Sequence, residues 1–243
     1  DEAFGWKSVF WFFFAIGGLM MWLVYVDLGE TAQKSSKSLI GQFREYPELL
    51  KSPRFWGYSL AAAFCSGSFF AYLGGAPFVG TEVFGMGPSE LGFYFGAPAI
   101  GYFLGNFLSG RYATTFGVNK LVLWGCIANA LGTFASLTIF VVGLGSPLSF
   151  FGMMVFVGLG NGLVIPNATA GMLSVRPHLA GTASGLGGAI MIGGGAALSA
   201  LAGLLLTPET GAFPLVGIMC ATGLCALLAI GAVYRRERRM ALA

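Results

Sequence analysis

Charge is what this sequence has least of. Asp, Glu, Lys and Arg make up 9% of its 243 residues, against about 25% in a soluble domain. None of them falls within six long runs, at 8–26, 55–81, 91–110, 121–175, 179–208 and 210–234. A soluble bundle is excluded, because no element remains to cover this much apolar length with water-facing polarity. A transmembrane barrel is excluded as well: barrel strands alternate polar and apolar residues, and Phe10-Trp11-Phe12-Phe13-Phe14 does not. With no ionisable residue at mid-span, the chain supplies no proton relay of its own. The one histidine, His178, sits in a short polar gap after Pro177. A single imidazole without a carboxylate neighbour makes neither a metal site nor a catalytic triad. The four cysteines (Cys65, Cys126, Cys220, Cys225) lie inside the apolar runs with no CxxC spacing, so they read as small apolar packers. The glycine-rich stretch 181–188 lacks the GK[ST] of a phosphate-binding loop. No cofactor and no metal are expected.

What is present is a topology. A hydrocarbon core of about 30 Å takes roughly 20 apolar residues per helix, so each single run makes one span. The run 121–175 makes two, turning at Gly143-Leu144-Gly145-Ser146-Pro147. The expectation is an all-α membrane protein with seven transmembrane helices. Of the 13 Lys and Arg residues, all but Lys7 fall in alternate gaps. Lys34, Lys37, Arg44, Lys51 and Arg54 follow the first span, Arg111 and Lys120 the third, Arg176 the fifth, and Arg235, Arg236, Arg238 and Arg239 the last. The gaps 82–90, 143–147 and 208–211 hold no base. Basic loops stay inside, which places the C-terminus in the cytoplasm. Because the chain opens on Asp1 with two acids and one base in its first seven residues, it reads as a fragment starting just before an internal helix rather than at a signal peptide.

The loop 27–53 is the one long polar segment. Either Leu39, Ile40, Phe43, Leu49 and Leu50 lay a short helix on the inner membrane surface, broken in two at Pro47, or the loop is a tether with incidental apolar residues. Close helix contacts in lipid rest on small residues, and two spans carry them at i, i+4 spacing. The third has Ala97, Gly101, Gly105 and Ser109; the sixth has Gly181, Gly185, Ala189, Gly193 and Ala197. Each stripe either packs within this bundle or meets a partner bundle against which it slides. Pro98 and Pro166 are expected to kink their helices.

Aromatic and weakly polar groups are the remaining candidates for a site. Tyr58, Ser66, Phe69 and Tyr72 on the second span, with Met153, Asn161 and Asn167 on the fifth, suit a cavity that holds a bulky apolar molecule by stacking. Six residues separate the two asparagines, about 120° on a helical wheel, so they do not face one cavity together.

Several segments resemble the C-terminal half of the Bcr/CflA-type drug-resistance transporters of the major facilitator superfamily. They are Gly5-Trp6-Lys7-Ser8-Val9-Phe10, Glu30-Thr31, Phe70-Ala71-Tyr72-Leu73-Gly74-Gly75-Ala76-Pro77-Phe78-Val79, Glu82-Val83-Phe84-Gly85, Pro166-Asn167-Ala168-Thr169-Ala170 and Ala180-Gly181-Thr182-Ala183-Ser184. The resemblance implies a transporter of two six-helix halves in the bacterial inner membrane, exporting drugs or small metabolites in exchange for protons. Residues 1–26 would then be the last helix of the first half, 27–53 the central cytoplasmic loop, and 54–243 the second half with a short basic tail. Gly101, Gly105, Gly181, Gly185 and Gly193 would line the contact between halves. Arg111, Gly117 and Lys120 resemble the family's loop motif, although Gly110 stands where an acid is common. The implied partners are the lipid bilayer, a small amphipathic substrate and the missing half, with no nucleic acid. This chain alone is not expected to transport. An importer of sugars or organic acids is the second reading, disfavoured because no Arg or Lys enters the spans. A membrane enzyme or scaffold subunit is the third, and an enzyme would need a polar cluster that the spans lack.

Overall fold

The computed structural model describes residues 5–28 and 46–241, with side chains through Arg239. Lys34, Lys37, Leu39, Ile40, Phe43, Arg44 and the pair Glu30-Thr31 lie outside the described residues. Two compact units form, 1–42 and 43–243. The first contains α1 (Lys7–Asp27), an uninterrupted apolar helix of 21 residues.

The second unit is a helical bundle, and no strand occurs among the described residues. Its elements are α2 (Tyr46–Leu50), α3 (Pro53–Phe78), α4 (Pro88–Phe95), α5 (Ala97–Phe116), α6 (Val118–Val141), α7 (Pro147–Val175), α8 (Ala180–Leu205) and α9 (Phe213–Ala241). Pro47 is the second residue of α2, and the piece expected before it lies outside the described residues. Leu49 is buried and Leu50 is exposed. The turn between α6 and α7 falls where glycine and proline require it: Gly143 has φ +77°, and Ser146 caps α7 reciprocally with Ser149.

Among the described residues six helices are long and apolar enough to cross a bilayer: α1, α6, α7 and α9 and, with their short flanking turns, α3 and α8. The third expected span takes another form. Residues 91–110 divide between α4 and α5, which meet at Gly96, and α5 runs on through Arg111 to Phe116. Pro98 therefore starts α5 rather than kinking it. At 20 residues, α5 is about 30 Å long, but Asn106, Ser109, Arg111, Thr114 and Thr115 make it less apolar than α1, α3, α6, α7 and α8. Pro166 lies inside α7.

Helices α3 and α7 occupy the middle. α7 packs on α5 and α6, α3 packs on α8 and α9, and the two meet each other. Glycine sets the approach on the α5 side. A Cβ on Gly105 would stand 2.5 Å from the Leu159 carbonyl oxygen and 2.9 Å from the Gly162 Cα. One on Gly101 would overlap the Val155 carbonyl, and one on Gly158 the Pro98 carbonyl. These obstacles are backbone, so no rotamer relieves them. The stripe Gly101–Gly105–Ser109 is consumed inside this bundle against α7, which corrects the expectation that Gly101 and Gly105 face a second half.

Buried hydrogen bonds fasten the other helices. Asn129 on α6 donates to the Cys65 carbonyl at 3.2 Å and accepts from the Ser68 hydroxyl at 3.2 Å. Ser68 also lies 2.8 Å from the Thr222 hydroxyl on α9. Three helices thus share one polar knot in an apolar interior, where each such bond contributes about 0.6–2 kcal/mol. The cysteines are free, and Cys65, Cys126 and Cys220 are buried.

At one end of the bundle α9 continues as helix through the basic residues expected to form a tail. Glu237 there pairs with Arg54 at 3.3 Å and accepts from Asn119 Nδ2 at 2.5 Å. The Tyr58 hydroxyl in turn donates to Asn119 Oδ1 at 2.5 Å. At the same end Arg176 meets Glu48 at 2.8 Å. His178 Nε2 lies 3.7 Å from the same carboxylate, so the histidine has the acidic neighbour that its sequence surroundings do not offer.

Candidate functional site: an uncharged aromatic cleft

A cleft of about 360 Å³ opens between α3, α5, α7 and α8. The end of α4 also contributes: α4 stops at Phe95 and α5 restarts at Ala97, leaving a step in the wall. Phe69 and Phe70 come from α3, Phe95 and Tyr102 from the step and α5, Asn161 and Ile165 from α7, and Met191 from α8. No lining residue is ionisable except Tyr102. The surface is therefore suited to dispersion and ring stacking, which do not distinguish closely among planar apolar molecules.

One buried polar atom among the lining residues is unmatched. Asn161 is 3% exposed. Its amide nitrogen donates to the Val157 carbonyl at 2.9 Å and the Cys65 carbonyl at 3.3 Å. Both neighbours are acceptors, so exchanging Nδ2 and Oδ1 would set oxygen against oxygen. That fixes Oδ1 as the atom left without a partner. A buried acceptor without a donor costs about 1–3 kcal/mol. Ser66, also in the wall, donates to its own helix at the Ala63 carbonyl, 3.2 Å away.

Of the seven residues expected to share a cavity, Ser66, Phe69 and Asn161 line this cleft. Tyr72 stands behind the wall. It is fully buried, donates to the Phe95 carbonyl at 2.9 Å, and stacks on Phe95 with ring centres 5.0 Å apart. Phe69 stacks on its other side at 6.3 Å, so Tyr72 positions two lining rings without lining the cleft itself. Met153 is half-buried in the same aromatic cluster. Tyr58 belongs to the Arg54–Glu237–Asn119 network at the basic end. Asn167 turns to α5 and donates to Ser109 Oγ at 2.7 Å. The two asparagines do point apart, as their spacing requires.

Sequence reasoning missed Phe95, Tyr102, Ile165 and Met191. Gly96-Ala97-Pro98 carried a usable signal for the first two, since proline favours the first turn of a new helix. The knot residues Asn129 and Thr222 were also missed, and only helix geometry brings them to Ser68.

The residues expected at the contact between halves separate into groups. Gly181, Gly185 and Gly193 on α8 have nothing within 4 Å of a Cβ position. With Ala189 and Ala197 they form an exposed, smooth ridge. Gly117, with φ +81°, makes the sharp turn from α5 to α6. Arg111 and Lys120 are exposed on either side of it.

The sequence profile of the Major Facilitator Superfamily matches residues 2–200 and again 82–242. An uncharacterized MFS-type transporter of Bacillus subtilis, YdgK, is 29% identical over 228 residues, covering 92% of this chain and 56% of that protein. A bicyclomycin resistance protein homolog of Haemophilus influenzae is 26% identical over 238 residues, covering 96% of this chain and 58% of that protein. The chain thus spans a little over half the length of the curated relatives it matches. Apolar helices long enough to cross a bilayer several times, and a profile match over nearly every residue, agree: this is a multi-pass membrane protein belonging to the Major Facilitator Superfamily of transporters.

Proposed function

We propose that this chain is the C-terminal half of a drug-resistance exporter of Bcr/CflA type, which moves amphipathic compounds out across the bacterial inner membrane in exchange for protons. Residues 1–26 are the last helix of the first half, 27–53 the connecting loop and 54–243 the second half. The 56% and 58% coverage of its relatives supports a half, and the bicyclomycin resistance homolog supports export of drugs. The bases gathered after alternate spans support a cytoplasmic C-terminus. Among the described residues no acid, base or histidine lies at mid-span, so the proton travels on the other half. The exposed ridge Gly181–Gly185–Gly193 on α8 is the face that meets that half and moves against it.

The uncharged aromatic cleft with its single orphan acceptor carries this reading. A carrier of organic anions needs a base to neutralise its cargo, and a sugar carrier needs many hydrogen-bonding groups; this cleft has neither. Membrane-enzyme chemistry would need a nucleophile with a base beside it, and no such pair lines the cleft. The groups present suit a planar apolar compound bearing one N–H or O–H, stacked on Phe69 and Phe95 and donating to Asn161 Oδ1.

The test compares two dyes that differ only in N–H against N–CH₃, in cells expressing the full transporter. The wild type should export both and favour the N–H dye. Asn161→Ala should lower export of the N–H dye about tenfold, the worth of one hydrogen bond of about 1–1.5 kcal/mol, and leave the methylated dye unchanged. Equal loss for both dyes would remove Asn161 from substrate contact, and export of neither by the wild type would sink the export reading.

A further inference from the structure

A second concave surface lies outside the substrate cleft and plays no part in the transport reading. It is a groove of about 550 Å³ running along α9 beside the start of α3. Its floor is Leu227, Leu228, Gly231 and Ala232, and its near end is formed by Arg235, Arg236 and Arg239. Residues 228, 232, 235 and 239 follow one another along one side of the helix at three- and four-residue steps, with Gly231 beside them, so the apolar floor leads straight into the guanidinium groups. Gly231 has nothing within 4 Å of a Cβ position, which leaves the middle of the groove open.

The charges at this end are unevenly satisfied. Arg54 is paired with Glu237 and Arg176 with Glu48. Arg235, Arg236 and Arg239 have no carboxylate partner among the described residues, and all three are exposed. Arg236 and Pro53 also border an adjoining cavity of about 280 Å³ that brings in Lys51, Arg54 and Arg176. Its one acid, Glu48, is already held by Arg176. The result is a surplus of fork-shaped donors, whose geometry matches phosphate oxygens two at a time, at the mouth of an apolar channel.

We propose that this groove is a binding site for an anionic phospholipid, with the phosphate on Arg235, Arg236 and Arg239 and one acyl chain lying over Gly231 toward Leu228. A soluble anion would satisfy the arginines and leave the floor bare. A zwitterionic headgroup would bring its own cation beside three others. Basic pockets between helices at the cytoplasmic side of a bilayer favour anionic headgroups for the same reason. The nearby Arg238 is not part of the groove lining, so it serves as a charge-matched control.

The test is native mass spectrometry of the purified protein released from vesicles of equal parts phosphatidylglycerol and phosphatidylcholine. The wild type should retain phosphatidylglycerol over phosphatidylcholine roughly tenfold or more, from three bases near the surface. The triple substitution R235Q/R236Q/R239Q should abolish that preference, the triple lysine form should keep part of it, and Arg238→Gln should keep all of it. Gly231→Phe, which fills the channel with every charge intact, should also abolish retention. Equal retention of both lipids by the wild type would overturn the site, as would a preference that survives the triple glutamine form. So would a loss of the preference on Arg238→Gln, because generic surface charge would then suffice. Retention unchanged in Gly231→Phe would overturn the acyl-chain placement and with it the choice of a lipid over a soluble anion.

Discussion

Gly101→Ala will destabilise the bundle by about 1–3 kcal/mol, the usual range for overpacking a tight contact, and Gly101→Val will yield little folded protein. The added methyl has no free space: it overlaps the Val155 carbonyl and lies 2.7 Å from the Leu159 amide nitrogen. Both belong to the backbone of α7, so relief requires α5 and α7 to move apart. Separation would also open the Gly105–Gly162 contact one turn away, and would draw Ser109 from Asn167, which now donates to it at 2.7 Å. Thermal unfolding of the purified protein in one detergent checks this. A midpoint equal to that of the wild type would show that the two helices do not approach as described. Gly158→Ala should behave in the same way, because its methyl meets the Pro98 carbonyl from the opposite side.

Gly185→Leu should do the reverse: it should leave the unfolding midpoint unchanged and stop transport. No atom lies within 4 Å of a Cβ at Gly185, or at Gly181 or Gly193. A leucine there has room in this unit, and it gains helix propensity over glycine. On the proposed contact with the other half it becomes a wedge, and a shift of roughly 1.4 kcal/mol in one step of the cycle already slows turnover tenfold. Export should therefore fall to roughly a tenth or less at normal expression. Normal export in Gly185→Leu would assign the ridge to lipid contact. A lowered midpoint would mean that α8 packs on something within its own bundle.

These two glycines are indistinguishable in the sequence. Both sit in stripes of small residues at four-residue spacing, inside uncharged runs, and the pattern alone says only that something approaches closely. Which partner approaches is a tertiary fact: for Gly101 it is Val155, 54 positions along the chain. The spans themselves were legible because a bilayer demands long uncharged runs and the loops between them hold the charge. The exception, at 91–110, arose where Gly96 and Pro98 restart a helix inside a run that hydropathy reads as continuous. The same restart places Phe95 and Tyr102 in the cleft.

The cleft was partly legible. Ser66, Phe69 and Asn161 follow from looking for polar and aromatic groups on two helices. Tyr72 has the right chemistry and the wrong direction, since its ring is held between Phe69 and Phe95 with the hydroxyl on a backbone carbonyl. Tyr58 was expected in the same cavity as Phe69, but it lies at the far end of α3, where its hydroxyl donates to Asn119, itself held by Glu237. Position along a helix axis, as well as angle around it, decides which side chains meet. Glu48 is a similar case: nothing in the sequence joins it to Arg176 and His178, and it reaches them because α2 tucks Leu49 into the core.

Proton-driven export through an uncharged cleft is the claim on which the functional account rests. Everted inner-membrane vesicles containing the full transporter measure it directly, with an imposed proton gradient and an aromatic N–H dye outside. The account predicts dye uptake that needs the gradient, collapses on adding a protonophore, and falls in Asn161→Ala. Uptake indifferent to the gradient, or none above vesicles lacking the transporter, would contradict it.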